Sequence, residues 1–479
     1  MQWIALHLPN LPLEALTRAF ATPEPRGITE NHVIVACDGC AVACGVKPGM
    51  TVSAATALAP QLVVRPRNVA AENEALLGLA AWAMQFTPNI AIDLPASLAL
   101  EVTGSTRLFG SLARIAAHLG EGCAQMGFTI RTAAAPTARS AIWLARSGRE
   151  VFVADPMQIE RTIAGLPVCV AVEDENTLDA LAAIGASRIG DVLALPRPEF
   201  ARRFGQTLLD DLDRALGRVP DPCAFFTPPA TFHARLELPA EVTQTEALLF
   251  AVKRLFVQLD GFLAARAGGV RRFVLKLTHR DSEPTSVSIG LVAPSRNASH
   301  FTVLARERLT PLALPAPVRA ISLEADDIAP LVGEDLTLFP GGSCPTEDWW
   351  QLVERLRARL GTGMVHGVAL AAEHRPEYAS QGCELTANGK AAPTATVSSA
   401  PRPFWLLADP RPLAEIDAAP HYGGPLRLLA GPERIESGWW DSGDIARDYF
   451  VAQTPDCALV WIYRERHAAG GWFLHGLFA

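Results

Sequence analysis

Two rhythms of apolar and polar positions alternate between residues 230 and 325. An extended run near 232–238 gives way to a helical stretch from about 244 to 266, then to the strand Val270–Leu277. A second strand follows around 286–292, a helix over 298–309 and a last strand at 317–324. This βαββαβ order predicts a sheet with two helices on one face. Further upstream, Leu178–Leu193 reads as two helical runs around a short turn containing Gly185 and Gly190, as in a helix–hairpin–helix. Its backbone N–H groups could hold a phosphate without reading sequence. Gln381–Arg402 has no periodic face, is rich in Ala, Ser, Thr and Pro, and reads as a linker. No repeat of about 20–50 residues is visible.

At 479 residues the chain is long enough for several domains, and 49% hydrophobic with 19% charged residues suits sizeable cores. No run of about 18 apolar residues predicts a membrane span. The opening Met1-Gln2-Trp3-Ile4 lacks a secretory n-region. Nine cysteines in such a length do not form a disulfide framework, so a cytoplasmic location is expected. The net charge of −8 hides a local excess, because residues 250–319 carry eleven Lys/Arg against four Asp/Glu. Arg272, Lys276 and Arg280 fall at even positions of one strand and so share a face. With Lys253, Arg254, Arg271, Arg306 and Arg308 they form a candidate surface for a DNA backbone. The alternative is a merely solvated strand face. Seven of the ten tryptophans and all four tyrosines lie after residue 345, which sets the C-terminal part apart.

Three stretches of the first 150 residues carry a resemblance when taken together. They are Trp3-Ile4-Ala5-Leu6-His7-Leu8-Pro9-Asn10-Leu11-Pro12-Leu13-Glu14, Val35 to Met50, and Leu98-Ala99-Leu100-Glu101-Val102-Thr103-Gly104 continuing to Gly110. With Ala134-Ala135-Pro136-Thr137-Ala138 following, their order resembles the palm and fingers of Y-family translesion DNA polymerases. The resemblance covers about residues 1–330 and implies an α+β, multidomain right hand. Residues 1–165 would be a palm with fingers inserted at about 22–66, 166–228 a helical thumb with the helix–hairpin–helix, and 229–330 the little finger. A clamp-peptide and linker region (331–402) and a C-terminal aromatic-rich module (403–479) would follow.

Departures from the family pattern decide what the resemblance implies. The family's first acidic strand falls on Leu6-His7-Leu8-Pro9, and its Asp-Glu pair falls on Ala96 and Ser97. The Tyr and Arg that hold the incoming triphosphate fall on Gly39 and Val42, and the Asn-Lys of the next loop on Thr137 and Ala138. Nucleotidyl transfer needs two cations clamping the attacking and leaving oxygens, and Mg²⁺ takes oxygen ligands. Leu6, Leu8, Ala96 and Ser97 therefore leave the metal-ligand places without carboxylates, although Asp38, Asp93 and Glu101 remain close in sequence. No catalytic residue, metal or cofactor is expected.

This combination resembles the mutasome branch of the family, as do Leu356–Gly361, His374–Glu377 and the tail from Gly431 to Ala479. The branch implies a damage-inducible adaptor that binds primer–template DNA without sequence preference. It also implies a sliding clamp, an error-prone replicative-type polymerase and a RecA-like accessory protein as partners, and no membrane. A catalytically active translesion polymerase is the competing expectation. Asp335-Leu336-Thr337-Leu338-Phe339 resembles the peptide that bacterial proteins insert into the clamp, with Leu338 and Phe339 as anchors; a buried strand end would have the same alternation.

Trp439, Trp440, Tyr449 and Trp472 are candidate partner-binding aromatics, which core packing or stacking on single-stranded DNA would equally explain. Cys37, Cys40 and Cys44 have no fourth ligand nearby for zinc and read as small buried residues. His374 and His475 read as packed or hydrogen-bonded rather than catalytic, and no Walker-type loop exists.

Overall fold

The computed structural model describes residues 1–19, 23–331, 345–385, 401–441, 443–467 and 470–478. The chain divides into two units, Met1–Leu360 and Gly361–Ala479.

The first unit opens with a four-stranded antiparallel sheet in the order Ile90–Asp93, Ser97–Glu101, Trp3–His7, Arg131–Ala135. Strand alternation splits the first strand between two cores. Ile4 and Leu6, continued by Leu8, join Leu98 and Leu100 beneath the helices Val69–Ala83 and Leu112–Met126. Trp3 and Ala5 face the other way, with Ala99, Ala133 and Ala135, beneath the helix Ala138–Arg146. Local signals bound these helices. Ser111 accepts the N–H of Arg114 at the start of Leu112–Met126, and Gly127 ends it in the left-handed region at φ +85°.

A three-stranded sheet, with Arg26–Glu30 between antiparallel Val33–Cys37 and parallel Val63–Pro66, carries the short helices Gly39–Ala43 and Val52–Leu58. There Cys37 is half-buried while Cys40 and Cys44 are exposed, so the expectation of small buried cysteines is corrected for two of the three. The helix Gly39–Ala43 packs only Ala41 inward, which leaves its other side chains to solvent.

The βαββαβ order is realised. Four antiparallel strands lie in the order Thr285–Ser295, Gly268–His279, Val318–Pro330, Phe232–Val242, and the helices Thr245–Ala264 and Ala298–Leu309 share a core with one face. Helix Thr245–Ala264 also packs against the helices Val69–Ala83 and Leu112–Met126 of the first sheet. The buried indole of Trp82 fills the joint. A Cβ on Gly122 or on Gly261 would collide with it, and one on Gly78 would collide with the Gln258 amide. Glycine at these positions is required because the helices approach too closely for a side chain.

Residues 331–402 are not a continuous linker. The helix Pro345–Leu360 docks on the βαββαβ domain, where buried Glu354 lies 2.6 Å from His300 Nε2 and accepts the Val292 N–H at 2.6 Å. Beyond it, Gly367–Leu370 pairs with Ser380–Cys383, taking Gln381–Cys383 out of the expected linker. The second unit is otherwise an antiparallel sheet of six strands: Ala419–His421, Trp405–Ile416, Gly471–Leu477, Leu459–Glu465, Ile445–Gln453, Arg427–Ser437. Both of its faces are apolar. Ala452, Val460, Ile462, Trp472 and Leu474 form one cluster, and Ile435, Ile445, Tyr449, Trp461 and Tyr463 the other. Among the described residues, no helix is long and apolar enough to cross a membrane.

Trp82→Ala should empty the joint and destabilise the first unit by about 3–5 kcal/mol, the usual range for a buried aromatic truncation. Denaturant titration of the full chain checks this.

Candidate functional site

The sheet hairpin that would carry a polymerase's metal ligands is built around His7 and Ser97. These two residues are directly opposite in the ladder, with His7 Nδ1 3.0 Å from Ser97 Oγ, and the Leu8 N–H donates to the Ala96 carbonyl at 2.8 Å. Directly opposed residues share a face, so His7 is the side chain of the first strand that stands with Ser97. Leu6 and Leu8 are turned into the core, at 0% and 1% exposure. The expectation that Leu6 and Leu8 stand in the ligand places is corrected by one residue, because a strand's period of two puts them on the opposite face from His7.

The three acidic residues left nearby are each engaged. Asp93 is 2.8 Å from Arg146 Nη2, whose other nitrogen lies 3.0 Å from Glu173. Glu101 accepts the Thr103 N–H at 3.0 Å and lies 3.5 Å from Asn89 Nδ2. Asp38 caps the helix Gly39–Ala43 by accepting the Ala41 N–H at 2.8 Å. Arg139 adds contacts to Asp211 at 3.3 Å and Asp221 at 3.6 Å across a cavity of about 440 Å³ that Asp93, Arg139 and Arg146 also line. Arginines and acids are interleaved beside this strand pair, with Arg146 shared by Asp93 and Glu173 and Arg139 by Asp211 and Asp221. Burial first, then Arg146 and Arg131, lowers the His7 pKa from 6.5 to about 4, while burial raises that of Asp93 against the pull of Arg146 and Arg139. Arginines that disfavour a protonated imidazole disfavour a divalent cation in the same place. Among the described residues, no group of three or more His, Cys, Asp or Glu side chains is placed to hold a metal ion.

The candidate DNA-binding residues separate into different environments. Arg272 and Lys276 do lie on the strand Gly268–His279, away from its core residues Phe273, Leu275 and Leu277, and Arg280 follows its last residue. Each faces an acid: Lys276 is 2.7 Å from Glu324, Arg280 3.1 Å from Glu241 and Arg272 3.6 Å from Asp326. Glu324 and Asp326 come from the adjacent strand Val318–Pro330 and Glu241 from Phe232–Val242 beyond it, all outside the window that read as basic. A surface basic in sequence is therefore close to neutral in place. Arg271 is exposed, and Arg306 and Arg308 lie in the last turn of Ala298–Leu309, with Arg306 3.6 Å from Glu246. Lys253 and Arg254 are on the helix Thr245–Ala264, on the other side of the domain.

In the helix–hairpin–helix, Gly185 makes the turn at φ +78° between Glu175–Ala183 and Ile189–Leu193. Gly190 lies inside the second helix, where an added Cβ would come 3.0 Å from the Ala164 carbonyl, so its small size serves packing. The Asp191 carboxylate accepts the Ser187 and Arg188 N–H groups at 3.1 and 2.8 Å, using the donors that a phosphate would need.

The aromatics of the second unit also divide. Tyr449 is 1% exposed, stacks on Trp461 at 4.0 Å between centroids and lies 2.8 Å from His475 Nδ1; Trp472 is 6% exposed in the other core. These two are core residues, which corrects their reading as partner contacts: both sit on strands covered on each face. Trp439 and Trp440 are 79% and 57% exposed and pack edge to face at 5.4 Å. Their turn is held by Arg375, which donates to both oxygens of Asp441 at 2.9 and 2.6 Å. His475 is fully buried, and burial lowers its pKa. Asp335, Leu336, Thr337, Leu338 and Phe339 lie outside the described residues.

The profile of the impB/mucB/samB family matches residues 15–145. Protein ImuB of Caulobacter vibrioides is 28% identical over 461 residues, covering 91% of this chain and 100% of its own. The chain is thus similar to ImuB along most of its length and to the impB/mucB/samB family over residues 15–145. The match to ImuB extends well beyond the polymerase-like part, which covers about residues 1–330. Among solved structures, a Dbh ternary complex has 17% identity and a TM-score of 0.38, covering 69% of this chain and 100% of its own. DinB from Sulfolobus solfataricus has 17% identity and a TM-score of 0.39, covering 68% and 99%. Sequence reasoning missed His7, whose only signal was its place between two core leucines. It also missed Arg139 and Arg146, which nothing in the local pattern distinguished from the other arginines.

Because His7 has a lowered pKa in the fold, its neutral form contributes stability that is full above the ordinary value of 6.5 and lost as pH falls towards about 4. Arg146→Gln should move the His7 titration upward, read from its imidazole resonances by NMR.

Proposed function

We propose that this chain is a non-catalytic, polymerase-like adaptor of a DNA-damage mutasome. The observation that carries the reading is the strand pair at His7 and Ser97, where Asp38, Asp93 and Glu101 are each engaged elsewhere. His7 and Ser97 occupy its face, Arg146 takes Asp93, and Glu101 and Asp38 serve a turn and a helix cap. In-line nucleotidyl transfer needs carboxylates that hold two cations, and every acid within reach already has structural work. The adaptor would bind DNA through unpaired basic residues of the βαββαβ domain. It would bind the sliding clamp through Asp335–Phe339, and would recruit an error-prone replicative-type polymerase and a RecA-like accessory protein through surfaces including Trp439 and Trp440. Two exposed indoles on a turn fixed by the Arg375–Asp441 pair have the character of interface anchors.

Primer extension with Mg²⁺ or Mn²⁺ should give no template-directed incorporation by the purified chain. Incorporation that disappears in Asp93→Asn would overturn the non-catalytic reading.

Leu338→Ala combined with Phe339→Ala should abolish clamp binding, since buried hot-spot side chains are worth about 2 kcal/mol or more each. Asp335→Gln should tighten it, because an amide both donates and accepts whereas a carboxylate only accepts. Surface plasmon resonance against the clamp, with melting temperature as the folding control, separates a lost contact from a lost fold.

A further inference from the structure

Cations without acidic partners gather on the helical side of the βαββαβ domain, away from the paired sheet face. Phe250, Lys253, Arg254 and Val257 of helix Thr245–Ala264 line a groove of about 580 Å³, which Gln125 borders on one side and Ser299 on the other. No carboxylate lines it. At one end Glu246 is matched by Arg306 at 3.6 Å, and further along the helix Asp260 feels Arg296. Lys253 and Arg254 have no carboxylate within ion-pair distance among the described residues; Glu14 acts on Arg254 only from further away, so the groove keeps a net positive charge.

The position of Arg254 is built rather than incidental. Its guanidinium lies 5.2 Å from the centroid of the Phe250 ring and rests over Gly127, where an added Cβ would collide with Nη1. Gly127 is also the left-handed residue that ends helix Leu112–Met126, so the same glycine closes a helix and seats a cation. Opposite lies the first turn of the twelve-residue helix Ala298–Leu309. Its cap Asn297 accepts only the His300 N–H, at 3.0 Å, which leaves the partial positive charge of that terminus in place. Phe250 is half exposed and, with Val257, offers a flat apolar surface beside the cations.

Adjacent cations and an open aromatic ring match a phosphate joined to a planar base. We propose that this groove binds a phosphorylated nucleoside unit, with the phosphate between Lys253, Arg254 and the start of Ala298–Leu309 and the base against Phe250. The site goes beyond the adaptor reading and does not require it. It lies apart from the sheet face of Arg272, Lys276 and Arg280.

The test uses the full chain with two probes, a fluorescent 5′-phosphorylated dT12 and free dATP. It compares Phe250→Ser and Lys253→Gln, both at exposed positions, with the triple sheet-face variant Arg272→Gln/Lys276→Gln/Arg280→Gln. Phe250→Ser should weaken dT12 binding by on the order of tenfold, as expected for one lost base stack. Lys253→Gln should reduce the slope of log K against log[salt] by about 0.7, one single-strand phosphate. Displacement of dT12 by dATP would support the groove with a free nucleotide as its source. Binding of dT12 alone, sensitive to both substitutions, would support it with a nucleic-acid strand as the source. If both variants melt like the parent and bind both probes unchanged, the proposal is overturned. If only the triple variant loses dT12, the DNA contact lies on the sheet and the adaptor reading survives without this groove.

Discussion

The Trp82 indole, pressed between Gly122 and Gly261, is the contact on which the first unit depends. Helix Thr245–Ala264 supplies the centre of one core through Leu248, Val252, Leu255, Phe256 and Leu259, and it also packs against the helices behind the first sheet. One helix can serve both only if its outer side approaches those neighbours without side chains in the way. Close packing makes such a joint intolerant of even one added methyl group. The same approach brings the end of Leu112–Met126 beside Phe250 and Arg254, so the groove on the helical side is a consequence of the joint.

Arginine dominates the electrostatics of this molecule, and what it does depends on its neighbours. At the hairpin, Arg146 ties Asp93 to Glu173, and Arg139 reaches Asp211 and Asp221. A planar guanidinium can bridge two carboxylates in this way because its donors form a fixed fork. The result is a site whose acids are tied up in ion pairs, where nucleotidyl transfer needs carboxylates that hold cations. On the strand Gly268–His279 and just past its end, the same chemistry neutralises Arg272, Lys276 and Arg280. Such exposed pairs add little to stability, yet they decide how much charge a surface presents to a polyanion.

The second unit spends its aromatics on two cores. Tyr449, Trp461 and His475 stack on one face of the sheet, and Trp472 packs with Ile462 and Leu474 on the other. A sheet apolar on both sides requires cover on both, and this explains why a tail so rich in tryptophan leaves only some of it exposed. Trp439 and Trp440 escape because they sit in a turn past the end of the strand Arg427–Ser437, with Arg375 and Asp441 beneath them.

The sequence alone determined the elements and their buried sides. The βαββαβ rhythm was legible because helix and strand periods mark, within a few residues, which positions face a core. That Leu6–Pro9 and Ala96–Ser97 hold no carboxylate was legible in the same way, as residue types along the chain. Only the tertiary structure decided which residue of that strand shares a face with Ser97, which aromatics are covered, and which cations are free. Those outcomes depend on what lies across a ladder or a helix joint. Lys276 meets Glu324, 48 residues away, and a window of sequence that ends before that strand counts the charge without its partner. Local periodicity fixes the orientation of a side chain, whereas its partner is chosen by strand order and helix packing, and neither is written within the segment that carries it.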